Sequence, residues 1–248
     1  MKEIDINLAK SLATAGYALD VEIQQKTGGY VKNFPKSDLF RIAIVQSLIW
    51  TGHAVDKADY FKTALDYLNT SSDSALSDMA KCFGRYGVEN LKSTLFNWRK
   101  LCGKIKTPYD ISKSDLEEII LFQNSSLETA CIARSRGEIM GIGAWLFCAP
   151  FKIILCLRDK LWNHPRVDEL LMPLGLEVIR GVKKLIRKKS SYAESFYADM
   201  LAETEGDIRE GLGTVELVQA LSKKIAKDSN SIVLHINSGL WKFGAGDL

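Results

Sequence analysis

The sequence has few of the residues that build metal sites or disulfides. Among 248 residues it has three histidines and five cysteines, and no two cysteines form a CxxC pair. No His/Cys pair stands at metal-ligand spacing, so we expect no zinc site. An odd number of scattered cysteines is typical of reduced thiols in a cytoplasmic protein. We expect neither a metal ion nor a cofactor.

Long apolar runs are also missing. The longest, from Ile142 to Leu157, is interrupted by Pro150 and Lys152 and is too short to cross a bilayer. The first residues, MKEIDINLAK, carry acids where a signal peptide would have a basic and then an apolar run. We therefore predict no membrane partner and a cytoplasmic location. The net charge is only +3, so attraction to a polyanion would depend on where the cations lie.

The alternation typical of β-strands is nearly absent, and apolar residues recur instead at helical spacing. Acids at Asp115 to Glu118 mark a first helical turn, while Gly28-Gly29 and His164-Pro165 are among the predicted breaks. The sequence therefore predicts an all-α protein of one domain. The spacing predicts helices over Leu39–Leu48, Tyr60–Leu68, Leu76–Cys82, Leu91–Leu101, Leu116–Phe122 and Val215–Ile225.

Basic residues are concentrated in two clusters. The second is expected on one face of a helix near its C-terminal end, where it either complements the helix dipole or binds phosphate. Both interpretations stay open. The first cluster is Arg99, Lys100, Lys104 and Lys106, and the second is Arg180, Lys183, Lys184, Arg187, Lys188 and Lys189.

A glycine-containing segment, Ile139-Met140-Gly141-Ile142-Gly143, stands directly before the apolar segment Ala144–Leu157. Two glycines so placed permit a tight turn whose N–H groups, with the following helix N-terminus, can hold a phosphate. The alternative is a turn between two packed helices. The segment resembles the helix-hairpin-helix of the DNA glycosylase superfamily, in which this hairpin binds the DNA backbone beside the flipped-out base.

Further residues resemble one branch of that superfamily, the archaeal 8-oxoguanine DNA glycosylases, in collinear order over residues 20–245. The resemblance is carried by Leu39–Phe61, Pro173–Leu185 and Leu234–Trp241, with Gly244 after the last. It implies a two-lobed helix-hairpin-helix glycosylase-like fold over 1–248, with the base pocket between the lobes. The backbone-binding residues that we predict are Gly141, Gly143, Lys183, Lys184 and Arg187.

The resemblance also implies a base pocket, which would read the edge of a flipped-out base by hydrogen bonds while an aromatic ring stacks on it. Two positions depart from the family: Asn237 replaces an aspartate and Ala58 replaces a tryptophan. These replacements predict a roomier pocket. Each residue has an alternative structural role in packing or hydrogen bonding. The matching positions are Gln25, Lys152, Pro173 and Trp241.

The chemistry implied by the family depends on two more positions. Bifunctional members carry a nucleophilic lysine two residues after the second hairpin glycine, and this chain has Trp145 there, as the monofunctional alkylbase glycosylases do. Schiff-base strand cleavage at this position is thereby excluded, although Lys152 is a possible substitute. A monofunctional enzyme still needs a carboxylate. The family alignment puts Gly175 at that position, whereas counting from the hairpin reaches Asp168, and Glu177 is a third option.

The sequence thus predicts a monomeric, monofunctional DNA N-glycosylase acting on double-stranded DNA that contains a modified base. Ala58 and Asn237 favour a bulky base such as the glucosylated hydroxymethylcytosine of some phage genomes, and hence a role in antiviral defence. Removal of 8-oxoguanine in base excision repair and DNA binding without catalysis are the alternatives. A weaker alternative is a helical ribonuclease that uses His164, in the segment Arg158–His164, as its general acid or base.

Overall fold

A computed structural model describes residues 3–31, 39–48, 64–68, 88–106, 115–140, 142, 144–193 and 212–248. Over these ranges the backbone consists of helices and turns and contains no strand, which confirms the all-α prediction. The helices in this part of the chain are α1 (Glu3–Val31), α2 (Leu39–Leu48), α3 (Val88–Ile105), α4 (Leu116–Ser135), α5 (Ala144–Leu157), α6 (Leu176–Arg187), α7 (Leu212–Ser229) and α8 (Val233–Ala245). Short 3-10 turns cover Asp159–Asn163, Val167–Glu169 and Ser191–Ala193.

Most helix predictions are confirmed where the structure describes the chain. The bounds of α2 and α5 coincide with the predicted segments. Helix α4 begins at Leu116 with acids in its first turn, as predicted, and Asp115, which was expected inside that turn, is its N-cap residue. Of the predicted helix at 60–68, residues 64–68 are helical, and the predicted helix at 76–82 lies outside the described residues.

The predicted break at Gly28-Gly29 is wrong, because α1 continues through both glycines to Val31. The turns before this point are anchored by Leu19 and Ile23, which are 6% and 1% exposed. A glycine inside a helix costs only about 1 kcal/mol relative to alanine. Burial of the neighbouring side chains outweighs that cost.

The chain divides into two compact units. The first comprises Met1–Lys26, Gly143–Cys148 and Leu155–Leu248, and the second comprises Thr27–Ile142 and Ala149–Ile154. In the core of the second unit, the ring of Phe40 in α2 contacts three aromatic rings from α3, α4 and α5. The centroid distances are 6.4 Å to Trp98, 5.7 Å to Phe122 and 5.5 Å to Phe151.

In the first unit, helix α8 packs closely against both α1 and α6 through glycines. A Cβ atom on Gly239 would lie 2.1 Å from the carbonyl oxygen of Leu12 in α1. A Cβ atom on Gly181 of α6 would lie 2.3 Å from the carbonyl oxygen of Leu240. Backbones can approach this closely only where no side chain intervenes. Helix α8, which carries Asn237 and Trp241, is therefore held firmly on two sides.

Gly103 offers the opposite case, because it lies on the exposed surface of α3 and a Cβ atom there would meet nothing within 4 Å. We expect Gly103→Ala to raise the free energy of unfolding by about 0.5–1 kcal/mol, since alanine loses less backbone entropy in a helix. A thermal melt followed by circular dichroism would show a rise of about 2 °C. Gly246→Ala is the control, because Gly246 has φ +99° and its substitution should lower the melting temperature. A lower melting temperature for Gly103→Ala would contradict the described environment.

Candidate functional site

The loop between the 3-10 turn at Val167–Glu169 and α6 is held by one side chain from α7. The amide nitrogen of Gln219 donates to the carbonyl oxygens of Asp168 (2.9 Å) and Leu170 (2.7 Å). Its amide oxygen accepts from the backbone N–H of Met172 at 3.3 Å. Backbone groups outside regular structure need such partners when they are buried. Gln219 therefore fixes the backbone from Asp168, in the 3-10 turn, to Met172, directly before Pro173.

Asp168, the first candidate for the catalytic carboxylate, lies at the N-terminus of α8. Its Oδ1 atom accepts a hydrogen bond of 2.7 Å from the backbone N–H of Val233, the first residue of that helix. The residue at the N-cap is Ile232, whose side chain makes no capping hydrogen bond. A helix N-terminus stabilises negative charge through its unpaired N–H groups and its dipole. The half-buried Asp168 thus has a defined hydrogen-bond partner, which fixes its position at the start of α8.

Asn237 and Pro173, two predicted pocket residues, contact each other directly. The Nδ2 atom of Asn237 donates to the carbonyl oxygen of Pro173 at 3.0 Å, and both residues are buried. A carboxylate at position 237 would be acceptor-only and would face that carbonyl oxygen without a proton. An asparagine at this position therefore has a structural reason in this chain. Trp241, one turn further along α8, is half-buried.

Glu177, the competing carboxylate, lies in the first turn of α6. One of its oxygens is 3.6 Å from the Nη1 atom of Arg180, and the two side chains are 31% and 48% exposed. A partly exposed ion pair of this kind contributes little to stability. Gly175, where the family alignment would place an aspartate, is the N-cap residue of α6.

Two lysines of the second basic cluster contact the C-terminal end of α8. The Nζ atom of Lys184 donates to the carbonyl oxygen of Phe243 at 2.5 Å and lies 5.2 Å from the centre of the Phe243 ring. Lys188 lies over the same ring at 5.1 Å. Cations at a helix C-terminus satisfy its carbonyl groups and complement its dipole. Of the other predicted backbone-binding lysines and arginines, Lys183 is half-buried and Arg187 is exposed.

A buried polar network near the start of α8 was not predicted from the sequence. The fully buried carboxylate of Asp20 in α1 accepts hydrogen bonds from the Nδ1 atom of His235 at 2.8 Å and from the hydroxyl of Ser238 at 2.5 Å. The thiol of Cys156 lies 3.7 Å from the same carboxylate. The residue types are those of a hydrolytic triad, but Ser238 and Cys156 bond to Asp20 rather than to the imidazole, and both are fully buried. The network ties α1, α5 and α8 together and provides no accessible nucleophile.

Two aromatic rings contact the imidazole of His235. The centroid distances are 5.2 Å to Tyr17 and 4.8 Å to Trp162, both in edge geometry. The indole nitrogen of Trp162 donates to the carbonyl oxygen of Leu155 at 2.9 Å, which fixes the 3-10 turn after α5. Tyr17 is 52% exposed, so this aromatic cluster reaches the surface of the first unit.

The other residues predicted from the sequence take no part in the contacts between α8 and the segment before α6. Gln25 is exposed on α1, and Lys152 is 9% exposed within α5, in the second unit. His164 is the residue on which the ribonuclease alternative depends. Its Nδ1 atom accepts a hydrogen bond of 3.2 Å from the backbone N–H of Arg166, so this nitrogen already has a partner within the protein. Gly141, Gly143, Ala58 and the side chain of Trp145 lie outside the described residues.

In the described part of the chain, Cys102, Cys131, Cys148 and Cys156 are free thiols. Burial raises the pKa of the Cys102 thiol to about 12, so this thiol stays protonated at neutral pH. Over the described ranges no three His, Cys, Asp or Glu side chains are grouped closely enough to hold a metal ion. In the same part of the chain no helix combines the length and the apolar character that crossing a bilayer requires.

Two hydrogen bonds join the segment before α6 to α8. Asp168 accepts one from Val233 at the start of α8, and the carbonyl oxygen of Pro173 accepts the other from Asn237, one turn further along. Comparison with known proteins adds no relative: no family model, no curated protein and no solved structure matches the chain.

Proposed function

We propose that this protein is a monofunctional DNA N-glycosylase, which hydrolyses the bond between a modified base and its sugar and leaves an abasic site. The observation that carries the proposal is the carboxylate of Asp168, held at 2.7 Å by the first backbone N–H of α8. The same helix carries Trp241, at a position that matches the glycosylases, and Asn237, at a pocket position where the sequence departs from them. A carboxylate held in place by the helix that carries these candidate base-contacting residues suits this reaction.

The proposed chemistry needs one carboxylate and one water molecule. As the base departs, the sugar becomes oxocarbenium-like, and the negative charge of Asp168 stabilises this cation and orients water toward C1′. Trp145 stands where a bifunctional enzyme has its nucleophilic lysine. Without an amine at that position no Schiff base forms there, so the strand is not cleaved.

The substrate that we propose is double-stranded DNA carrying a bulky modified base, with the glucosylated hydroxymethylcytosine of phage DNA as the leading example. A cytoplasmic, monomeric enzyme with this substrate would act in antiviral defence. Support for a roomy pocket comes mainly from Ala58, since Asn237 has a structural partner in Pro173. 8-Oxoguanine is the second substrate to test.

The test is an abasic-site assay on duplexes that contain glucosylated hydroxymethylcytosine, hydroxymethylcytosine, 8-oxoguanine or only ordinary bases. We expect the first duplex to yield strand breaks only after alkali treatment, because a monofunctional enzyme leaves the backbone intact. Borohydride should trap no covalent complex. Release of 8-oxoguanine alone would overturn the proposed substrate, and the absence of abasic sites in all duplexes would overturn the proposed activity.

One observation favours DNA binding without catalysis as a second candidate function. The hydrogen bond from Val233 to Asp168 is by itself a sufficient structural reason for an acid at this position, since helix N-termini favour such acceptors. On this alternative, the protein binds modified DNA and removes nothing. Substitution of Asp168 separates the two functions.

A further inference from the structure

Cations from two separate parts of the sequence converge in the second unit. Lys100 and Lys104 lie near the C-terminal end of α3, Arg136 follows α4, and all three are exposed. Lys104 donates a hydrogen bond to the carboxylate of Glu138, 34 residues away in sequence. This hydrogen bond, followed by the charges of Lys104, Arg136 and Lys100, lowers the pKa of the Glu138 carboxyl. Glu138 is therefore paired with Lys104 and also lies within electrostatic reach of Arg136 and Lys100.

The positions of these groups are fixed by local contacts. The Nζ atom of Lys100 lies 4.6 Å from the centre of the Phe96 ring, one turn earlier on α3. After α4 the chain turns through Gly137, which has φ 67°, and the N–H of Glu138 donates to the carbonyl oxygen of Ala133 at 2.8 Å. Such a turn is a common way to end a helix. Lys100 and Lys104 thus each have a defined side-chain contact, and the turn sets the backbone that follows Arg136.

An apolar side chain projects beside them. Met140 is 71% exposed, whereas Ile139 and Ile142 on either side are 1% and 3% exposed. The two buried isoleucines anchor the backbone and leave Met140 directed outward. Phe96, beside Lys100, is also 47% exposed. Exposed apolar side chains among cations are typical of surfaces that contact both the phosphates and the sugars or bases of nucleic acids.

We propose that Lys100, Lys104, Arg136 and Met140 form a DNA-contacting surface, which we call the α3–turn surface. The proposal rests on the proposed function in taking DNA as the partner. Lysine and arginine bind phosphates as charges, and Met140 supplies an apolar contact to the sugar edge or the exposed base step. Because the whole chain carries only +3, binding of a polyanion depends on local concentrations of cations, and the α3–turn surface is one of them.

The first experiment removes two charges and leaves the Lys104–Glu138 pair intact. We expect the Lys100→Gln/Arg136→Gln variant to bind an unmodified short duplex more weakly, and the slope of log K against log salt to become shallower by about 2. Each lost phosphate contact changes that slope by about 0.9. Fluorescence anisotropy over about 50 to 200 mM salt measures it. Lys10→Gln/Lys227→Gln, which removes two exposed charges from the first unit, is the matched control and should keep the slope.

The second experiment tests the apolar contact. Met140→Ala should weaken binding roughly fivefold without changing the salt slope, because it removes apolar area and no charge. If the slope of log K against log salt changes equally in Lys100→Gln/Arg136→Gln and in Lys10→Gln/Lys227→Gln, the proposal is overturned, because the change in net charge alone would then explain the effect. If these variants bind phosphatidylserine vesicles more weakly than the wild type but bind DNA equally well, the surface faces a membrane, and the proposed DNA contact is overturned.

These outcomes are separable from those of the base-excision assay. If the wild-type protein removes the modified base and the Lys100→Gln/Arg136→Gln variant keeps its salt slope, the α3–turn surface alone is wrong. If the slope changes as expected and no base is released from any duplex, the surface stands and the proposed activity is wrong. If the wild-type protein binds no duplex, both proposals are overturned.

Discussion

We expect Gly239→Ala to destabilise the protein by about 3 kcal/mol or more, the cost of overpacking where the neighbour is backbone. The added Cβ atom would lie 2.1 Å from the carbonyl oxygen of Leu12 and 2.7 Å from its carbonyl carbon. Both atoms belong to the backbone of α1, so no side chain can turn aside to make room. The melting temperature should fall by about 10 °C, measured by circular dichroism or calorimetry.

A matched substitution in the facing helix tests the same contact from the other side. A Cβ atom on Gly16 would lie 1.7 Å from the carbonyl oxygen of His235, so Gly16→Ala should be at least as damaging. Gly103→Ala adds the same methyl group to an open helix surface and is the control for the chemistry of the change. If Gly239→Ala melts within about 1 °C of the wild type, less than a 1 kcal/mol effect, then α1 and α8 do not pack this closely.

The helices could be predicted because their signals are local. The bounds of α2 follow from apolar spacing, those of α5 follow from a continuous apolar run, and the start of α4 follows from the acids of its first turn. The close packing of α8 could not be predicted, because Gly16, Gly181 and Gly239 become neighbours of other backbones only after the chain folds. The same limit explains the wrong break in α1. Local propensity at Gly28-Gly29 favoured a break, and burial of the preceding turns decided against it.

In the candidate site, too, some residues could be predicted from the sequence and others could not. Asp168 and Asn237 were proposed from their positions relative to a family pattern, and the structure gives each a defined partner in the first unit. Gln219 and Asp20 were missed because each acts on residues far away in sequence: Gln219 on a loop 47 to 51 residues earlier, Asp20 on His235, 215 residues later. No local pattern marks a glutamine that holds a distant loop, and a lone aspartate in a helix resembles any surface acid.

We expect Asp168→Asn to lower the rate of base excision about a thousandfold while leaving stability and DNA affinity nearly unchanged. The amide oxygen of asparagine can still accept the hydrogen bond from Val233, and asparagine serves as well as aspartate at a helix N-terminus. What disappears is the negative charge that the oxocarbenium-like sugar requires. Single-turnover release of the modified base, measured beside the melting temperature and the affinity for duplex DNA, tests the three expectations together.

Two further substitutions sharpen the interpretation of that result. Asp168→Ala should lose the activity and also about 1 kcal/mol of stability, because it leaves the first N–H of α8 without its acceptor. Glu177→Gln removes the competing carboxylate and breaks only a partly exposed pair with Arg180, so it should keep both activity and stability. If Glu177→Gln is inactive and Asp168→Asn is active, the catalytic acid is Glu177. If Asp168→Asn excises the base at the wild-type rate, Asp168 only caps α8, because an uncharged amide cannot replace a carboxylate in the chemical step.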